Sequence, residues 1–328
     1  MNFDLLTFAN PIIDVCIEAP RSFVEERSLK FGETKLVDEA SVFDNLPCKP
    51  TYVPGGSASN TIRALLATKL NVNNQIGITG AIGADEIGLV YTHAFEGCQT
   101  FLEILENEST SKCLCVTDPS GERSLGPLVL ASNQYSTSFY NQTLESIEKS
   151  SICYLTGFFL LHSTDKIVNL MQNTEKIDRL MLNLSDAFVV YGFWDCLNQV
   201  FPHTSLLVGN HVEYTAVYEK LSSNPAEDNK MLAAMRLLQD KYGIPTLICT
   251  CGANDVIVLQ DGTVSMYPVR AVDVVVDTNG AGDSFVGGLL AGILSGFPME
   301  KCVALGNELA GYCLGKVGAD YSGFEMQK

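Results

Sequence analysis

Apolar positions along the chain alternate between two patterns. Short apolar runs at residues 5–9, 75–79, 152–155, 180–184, 206–208 and 246–250 read as buried strands. Between them apolar residues recur at helical spacing: Ile62, Leu65 and Leu66 after Ser57, then the stretches 86–95, 167–171 and 231–238. This βα alternation predicts an α/β fold with a mostly parallel central sheet and helices on both faces. Asp261-Gly262, between runs at 256–259 and 264–267, predicts a hairpin. Two helices are expected near 282–294 and 301–314. Strand-like segments near 12–55 and 112–130 do not fit the alternation. The second contains runs at 113–117 and 124–129 joined by the turn Asp118-Pro119-Ser120-Gly121. These segments are expected to form a small accessory sheet, a lid over one end of the main sheet. No internal repeat or long linker breaks the pattern, so residues 1–328 are expected to be a single domain with inserted lid strands.

Composition narrows the classes. The 328 residues are 46% hydrophobic and 18% charged, which suits a large core and excludes a disordered chain. The net charge of -17, from 21 Lys+Arg against 38 Asp+Glu, argues against nucleic acid and anionic membranes as partners. No apolar run reaches the roughly 18 residues of a membrane helix. The first residues carry Asp4 and no basic region, unlike a signal peptide, so a cytoplasmic location is expected. The 11 cysteines are odd in number, and several (Cys113, Cys115, Cys153, Cys249) sit in strand-like runs. Two Cys-x-Cys pairs occur, but the four histidines lie in no zinc-like spacing, so reduced structural thiols are expected. The acidic balance also sets a constraint: the global field would repel a polyanionic substrate.

One segment carries chemistry. A run at 272–276, read as a strand, enters Asp277-Thr278-Asn279-Gly280-Ala281-Gly282-Asp283-Ser284-Phe285. A helical pattern leaves it through Phe285, Leu289, Leu290, Ile293 and Leu294. A helix start presents unpaired N–H groups and a partial positive charge. Small residues there let an anion approach the backbone. Asp283, in the first turn, can take the proton from an attacking hydroxyl while the amides stabilise the transferring group. Gly-x-Gly-Asp alone fits an ordinary glycine turn before a helix equally well.

The whole nine-residue segment resembles the C-terminal signature of the ribokinase-like (PfkB) kinases. Its form with Asn279 is similar to that of adenosine kinases. Pro54-Gly55-Gly56-Ser57-Ala58-Ser59-Asn60 resembles the family's N-terminal signature. Further segments resemble adenosine kinases: Asn10-Pro11-Ile12-Ile13-Asp14, the stretch from Tyr154 to Leu160, that from Asn183 to Phe188, and Gly209-Asn210-His211-Val212-Glu213. The resemblance implies a three-layer αβα sandwich with a small β-sheet lid. It implies transfer of the γ-phosphate of ATP, with Mg²⁺, to the 5′-hydroxyl of a nucleoside, adenosine above all. The same chemistry on ribose or fructose, and a catalytically silent nucleoside-binding module, are the alternatives.

The resemblance also implies roles. Asp283 would be the general base, and Gly280, Ala281 and Gly282 the anion hole. Asp14 would grip the ribose hydroxyls, as a carboxylate accepting two hydrogen bonds can. Gly55 and Gly56 would admit the sugar, and Asn60 would donate to its hydroxyls. Asn10, Ser57 and Asn279 would complete the substrate side. Ile12, Leu36, Leu125, Phe159 and Phe188 would wall the base, with Phe158 as the other aromatic candidate, since adjacent strand residues face opposite ways. Asn210 and Glu213 would organise magnesium, mostly through water. Arg123 on the lid would meet phosphate charge. Thr250, Gly252 and Asn307 would lie on the nucleotide side. A monovalent-cation site is a family possibility, and a monomer is favoured over a dimer. Such a site handles phosphate with amides and metal, so the net charge does not exclude ATP.

Overall fold

The computed structural model describes residues 1–326 apart from 71–74, 96, 119–121, 174, 223 and 225–226. Most of the turn expected at Asp118–Gly121 lies outside the described residues. Among the described residues, thirteen strands form two sheets. They are β1 (Asn2–Phe8), β2 (Ile12–Glu18), β3 (Thr51–Gly55), β4 (Ile76–Gly83), β5 (Gln99–Leu105), β6 (Ser111–Thr117), β7 (Arg123–Leu128), β8 (Lys149–Thr156), β9 (Leu180–Asn183), β10 (Thr204–Asn210), β11 (Thr246–Cys251), β12 (Asn254–Gln260) and β13 (Thr263–Tyr267). The large sheet runs β13-β12-β11-β10-β9-β8-β1-β4-β5. It is parallel except at β12 and β13, the hairpin expected at Asp261-Gly262. The small sheet runs β3-β2-β6-β7.

Period-two alternation explains the three layers. On β1, Leu5 packs with Ile78, Tyr154, Phe285 and Leu289 on one face. Its neighbours Leu6 and Phe8 pack with Phe159, Tyr214 and Val217 on the other. Strands buried on both faces read as continuous apolar runs, which is why they were visible in the sequence.

Helices Ser57–Ala67, Ala281–Leu294 and Met299–Leu314 meet almost backbone to backbone. A Cβ on Gly287 would lie 2.6 Å from the Thr61 carbonyl, one on Gly288 2.5 Å from the Leu305 carbonyl, and one on Gly292 2.9 Å from Cys302 Cα. The helix that carries Asp283 is therefore wedged between the other two.

The run at 272–276 is not a strand. Val274, Val275 and Val276 are 65%, 56% and 40% exposed, and the amides of Val276 and Asp277 both bond to the Leu314 carbonyl at a helix C-terminus. Its backbone partner is thus a helix end rather than a strand. All 11 cysteines are free thiols. Among the described residues, no helix is long and apolar enough to cross a membrane.

Candidate active site

Helix Ala281–Leu294 starts from Gly280, whose φ of 76° is a left-handed conformation that side chains resist. Gly280 supplies no side-chain cap, so the first-turn amides of Gly282 and Asp283 are open to an outside acceptor. Ser284 Oγ donates to the Gly280 carbonyl at 2.6 Å and fixes the turn. Asp277 anchors the approach: Oδ1 accepts from the Asn279 amide at 3.1 Å, and Oδ2 from the Gly318 amide at 2.7 Å. Arg123 Nη1 meets the same Oδ2 at 2.8 Å, with the two side chains only 11% and 7% exposed. The arginine expected to face phosphate is thus engaged by Asp277, and it ties β7 of the small sheet to the anion turn.

Asp283 is clamped from helix Ser57–Ala67. Ser57 Oγ donates to Oδ1 at 2.6 Å and Asn60 Nδ2 to Oδ2 at 3.1 Å, from side chains three residues apart on one helical face. Burial raises the Asp283 carboxyl above the usual carboxylate range, and these two bonds oppose the rise. A carboxyl held this way can accept a proton from a third group.

Gly55 and Gly56 bring that clamp against the start of β2. A Cβ on Gly55 would sit 2.7 Å from the Asp14 carboxylate, and one on Gly56, at φ 91°, 2.5 Å from the Asn10 carbonyl. Burial pushes the Asp14 carboxyl up to about 6, against the pull of Arg123 and Arg63. Asn10 Oδ1 and Asn60 Oδ1 are buried with no hydrogen-bond partner in the protein, so each is free to accept from a bound molecule. One of the two Asn60 Nδ2 hydrogens is committed to Asp283, which leaves the other N–H and Oδ1 for further partners.

The apolar wall also differs from expectation. Phe158 and Phe159 open the helix Gly157–Asn173 rather than lying on a strand. Phe159 is 1% exposed and packs on Phe8 and Tyr135 in the core, so it is no wall residue. Phe158 instead meets Phe188, ring centroids 5.9 Å apart. Phe188 and Leu36 are 50% and 65% exposed, and Ile12 pairs with Gly55 across β2 and β3. Leu125 bridges to Thr34 and lines a cleft with Arg123, Val275, Val276 and Asn279. The exposed valines that ended the strand reading thus border the site.

On the other side, Asn210 and Glu213 form a capping box at the start of helix His211–Leu221. Asn210 Oδ1 accepts from the amides of Val212 and Glu213, both at 2.9 Å. Glu213 Oε2 accepts from the Asn210 amide at 2.9 Å, and Oε1 from Asn210 Nδ2 at 2.7 Å. Burial raises the Glu213 carboxyl to about 7, and the nearby Asp186 and Asp283 push the same way. Glu213, with both oxygens engaged, fits contact with a hydrated divalent cation through water rather than direct ligation. Thr250 lies opposite Asn210 in the β10–β11 register, and Gly252 turns at φ 62° just beyond. A pocket beside them is lined by His211, Cys251, Asn254, Asp255 and Met266. Asn307 Nδ2 donates to the Pro268 carbonyl at 3.3 Å and lies outside that pocket.

Of the two Cys-x-Cys pairs, Cys113 and Cys115 sit beside Asp14, with ligand atoms within 4.8 Å of one another. Sequence reasoning missed Asp277 as an anchor and Arg63, which donates to the Pro54 carbonyl at 2.6 Å. Arg63 follows Asn60 by three residues, a spacing that puts both on one helical face and was available as a signal.

A family model, pfkB family carbohydrate kinase, matches residues 29–325. The chain is 29% identical over 334 residues to an adenosine kinase of Saccharomyces cerevisiae, covering 98% of this chain and 97% of that one. The fold is similar to that of Trypanosoma brucei brucei adenosine kinase without ligand, with TM-score 0.85, 24% identity and coverage of 96% and 99%. It is also similar to Anopheles gambiae adenosine kinase in complex with P1,P4-di(adenosine-5) tetraphosphate, with TM-score 0.83, 22% identity and 99% coverage of both chains. Since the family match takes in both glycine-rich turns and the carboxylate clamp that joins them, the chain belongs to the pfkB family carbohydrate kinases.

Proposed function

We propose that the chain transfers the γ-phosphate of ATP to the 5′-hydroxyl of adenosine, with Asp283 as general base. The observation that carries this reading is the Ser57–Asp283–Asn60 clamp at an uncapped helix N-terminus. It supports the reading because a carboxyl with a raised pKa lies in the same helical turn as amides suited to phosphate. Deprotonation by Asp283 makes the hydroxyl a nucleophile, and the amides of Gly282 and Asp283 stabilise charge on the phosphoryl group in flight. Asp14 accepts the two ribose hydroxyls, helped by the unpartnered Asn10 Oδ1 and Asn60 Oδ1. Phe188 and Leu36 offer exposed apolar surface, with half-buried Phe158 beside Phe188, that a flat base would cover. Glu213 would hold water around Mg²⁺, which, bound with the nucleotide, would neutralise phosphate charge. The near-full-length likeness to adenosine kinases favours a purine nucleoside over a free sugar.

The test is ADP release and product formation with adenosine, inosine, guanosine, ribose and fructose as acceptors. Adenosine is expected to give the highest kcat/KM. Turnover of a sugar without adenosine would overturn the acceptor assignment, and no ADP with any acceptor would overturn kinase activity. Because the small sheet is expected to exclude water on closing, ATP hydrolysis without acceptor should be slow.

A further inference from the structure

The second Cys-x-Cys pair sits at the end of β11, on the two sides of Thr250. Residues i and i+2 of a strand share a face. Here the register against β12 shifts between them, and the Cys249 and Cys251 sulfurs stand 3.8 Å apart. Their surroundings differ. Cys249 is fully buried, whereas Cys251 is partly exposed and lines the pocket with His211, Asn254, Asp255 and Met266. Cys113 and Cys115 have no such asymmetry, since both are buried.

We propose that Cys249 and Cys251 are an oxidisable dithiol, converted by a peroxide to an intramolecular disulfide that weakens nucleotide binding. The hydrogen bond from Cys249 brings the Cys251 thiol down to about 7, while Cys249 itself is pushed well up. Cys251 is then the attacking group and Cys249 the resolving one. The Cys251 thiolate attacks one oxygen of hydrogen peroxide, the O–O bond breaks, and the released hydroxide takes a proton from solvent. Cys249 then attacks the sulfenic sulfur, and its proton leaves with the departing hydroxyl as water. Two thiols and one peroxide give one disulfide and two waters, and an added dithiol reverses the step. Closing the sulfur gap draws the backbone together at Thr250 and pulls on Gly252. The effect on binding rests on the reading that these two residues face the nucleotide.

The test exposes the full-length enzyme to hydrogen peroxide, blocks free thiols and maps peptides by mass. The expected result is a disulfide within the 249–251 peptide, several-fold higher KM for ATP, and recovery with dithiothreitol. Cys251→Ser, compared with its own untreated KM for ATP, should show no rise after peroxide. Cys249→Ala should stop Cys251 at the sulfenic or sulfinic stage. Both thiols remaining free while exposed Cys48 is oxidised would overturn the proposal, as would equal sensitivity of Cys251→Ser. A disulfide with unchanged KM for ATP would overturn the coupling to nucleotide. Turnover by the reduced enzyme tests the kinase reading separately.

Discussion

Asp283 and Glu213 are both carboxyls with raised pKa, and they are held in opposite ways. Asp283 is gripped by Ser57 and Asn60, 226 and 223 residues distant in the chain. Glu213 is gripped by Asn210, three residues away, within the helix it begins. The capping box would stabilise its helix with no ligand in sight, so its geometry is explained by local folding. The Asp283 clamp caps nothing. It forces a distant helix to aim two donors at a carboxylate, and it leaves Asn60 Oδ1 unsatisfied. Nonlocal, incompletely satisfied polarity is the stronger sign of chemistry.

The largest expected effect tests the Asp283 side. Asp283→Asn should lower kcat by about 10²- to 10⁴-fold, the range of general-base catalysis, with nucleoside affinity little changed. Stopped-turnover assays and equilibrium binding read the two separately, and normal turnover would remove Asp283 from the mechanism. Ser57→Ala should come next. It deletes a charge-assisted hydrogen bond of the kind worth about 1.5–3 kcal/mol, so kcat/KM should fall about 10- to 100-fold. An unchanged value would mean that Asn60 alone positions the base.

The pH dependence of Asp14 follows. Its carboxyl is raised to about 6, so it is ionised above that pH and protonated below. KM for adenosine should rise about tenfold per pH unit below 6 if both ribose hydroxyls need the carboxylate. A flat profile down to pH 5 would argue that Asp14 does not hold them. The sign for stability is opposite to the usual carboxylate case. The folded pKa lies above that of a free carboxylate, so ionisation costs the fold, and its stability contribution grows as pH falls through 6. Asp14→Asn should therefore raise Tm at pH 7.5 while weakening nucleoside binding. A lower Tm would show that the carboxylate is a net structural asset.

The smallest effect belongs to Glu213. Glu213→Gln keeps a capping-box residue, so Tm should shift by less than about 1 kcal/mol equivalent, while the Mg²⁺ concentration for half-maximal rate rises several-fold. A large loss of Tm with an unchanged metal requirement would make Glu213 purely a helix cap.

The fold was largely legible because strands buried on both faces are apolar throughout and their helices are one-sided. The failures have physical causes. The valines at 274–276 look like a strand, yet their backbone partner is the Leu314 carbonyl, a contact no periodicity encodes. The pair Phe158–Phe159 reads as strand alternation, but a helix begins at Gly157 and Phe159 lies in the core. Asn60 is legible as a site residue, but its bond to Asp283, 223 residues away, is a tertiary contact that no local pattern encodes. Arg123 is held by Asp277 through a tertiary contact between distant segments, and nothing in either segment alone announces it.

The glycines of helix Ala281–Leu294 bear on any attempt to engineer this chain. Replacing helical glycine by alanine ordinarily gains about 1 kcal/mol. At Gly287, Gly288 and Gly292 a methyl group would strike neighbouring backbone, so the gain turns into a loss. Gly282 alone among them has nothing within 4 Å of an added Cβ. That open space lies over the amides assigned to phosphate. A thermostability screen would therefore be drawn to the one position where success obstructs the reaction.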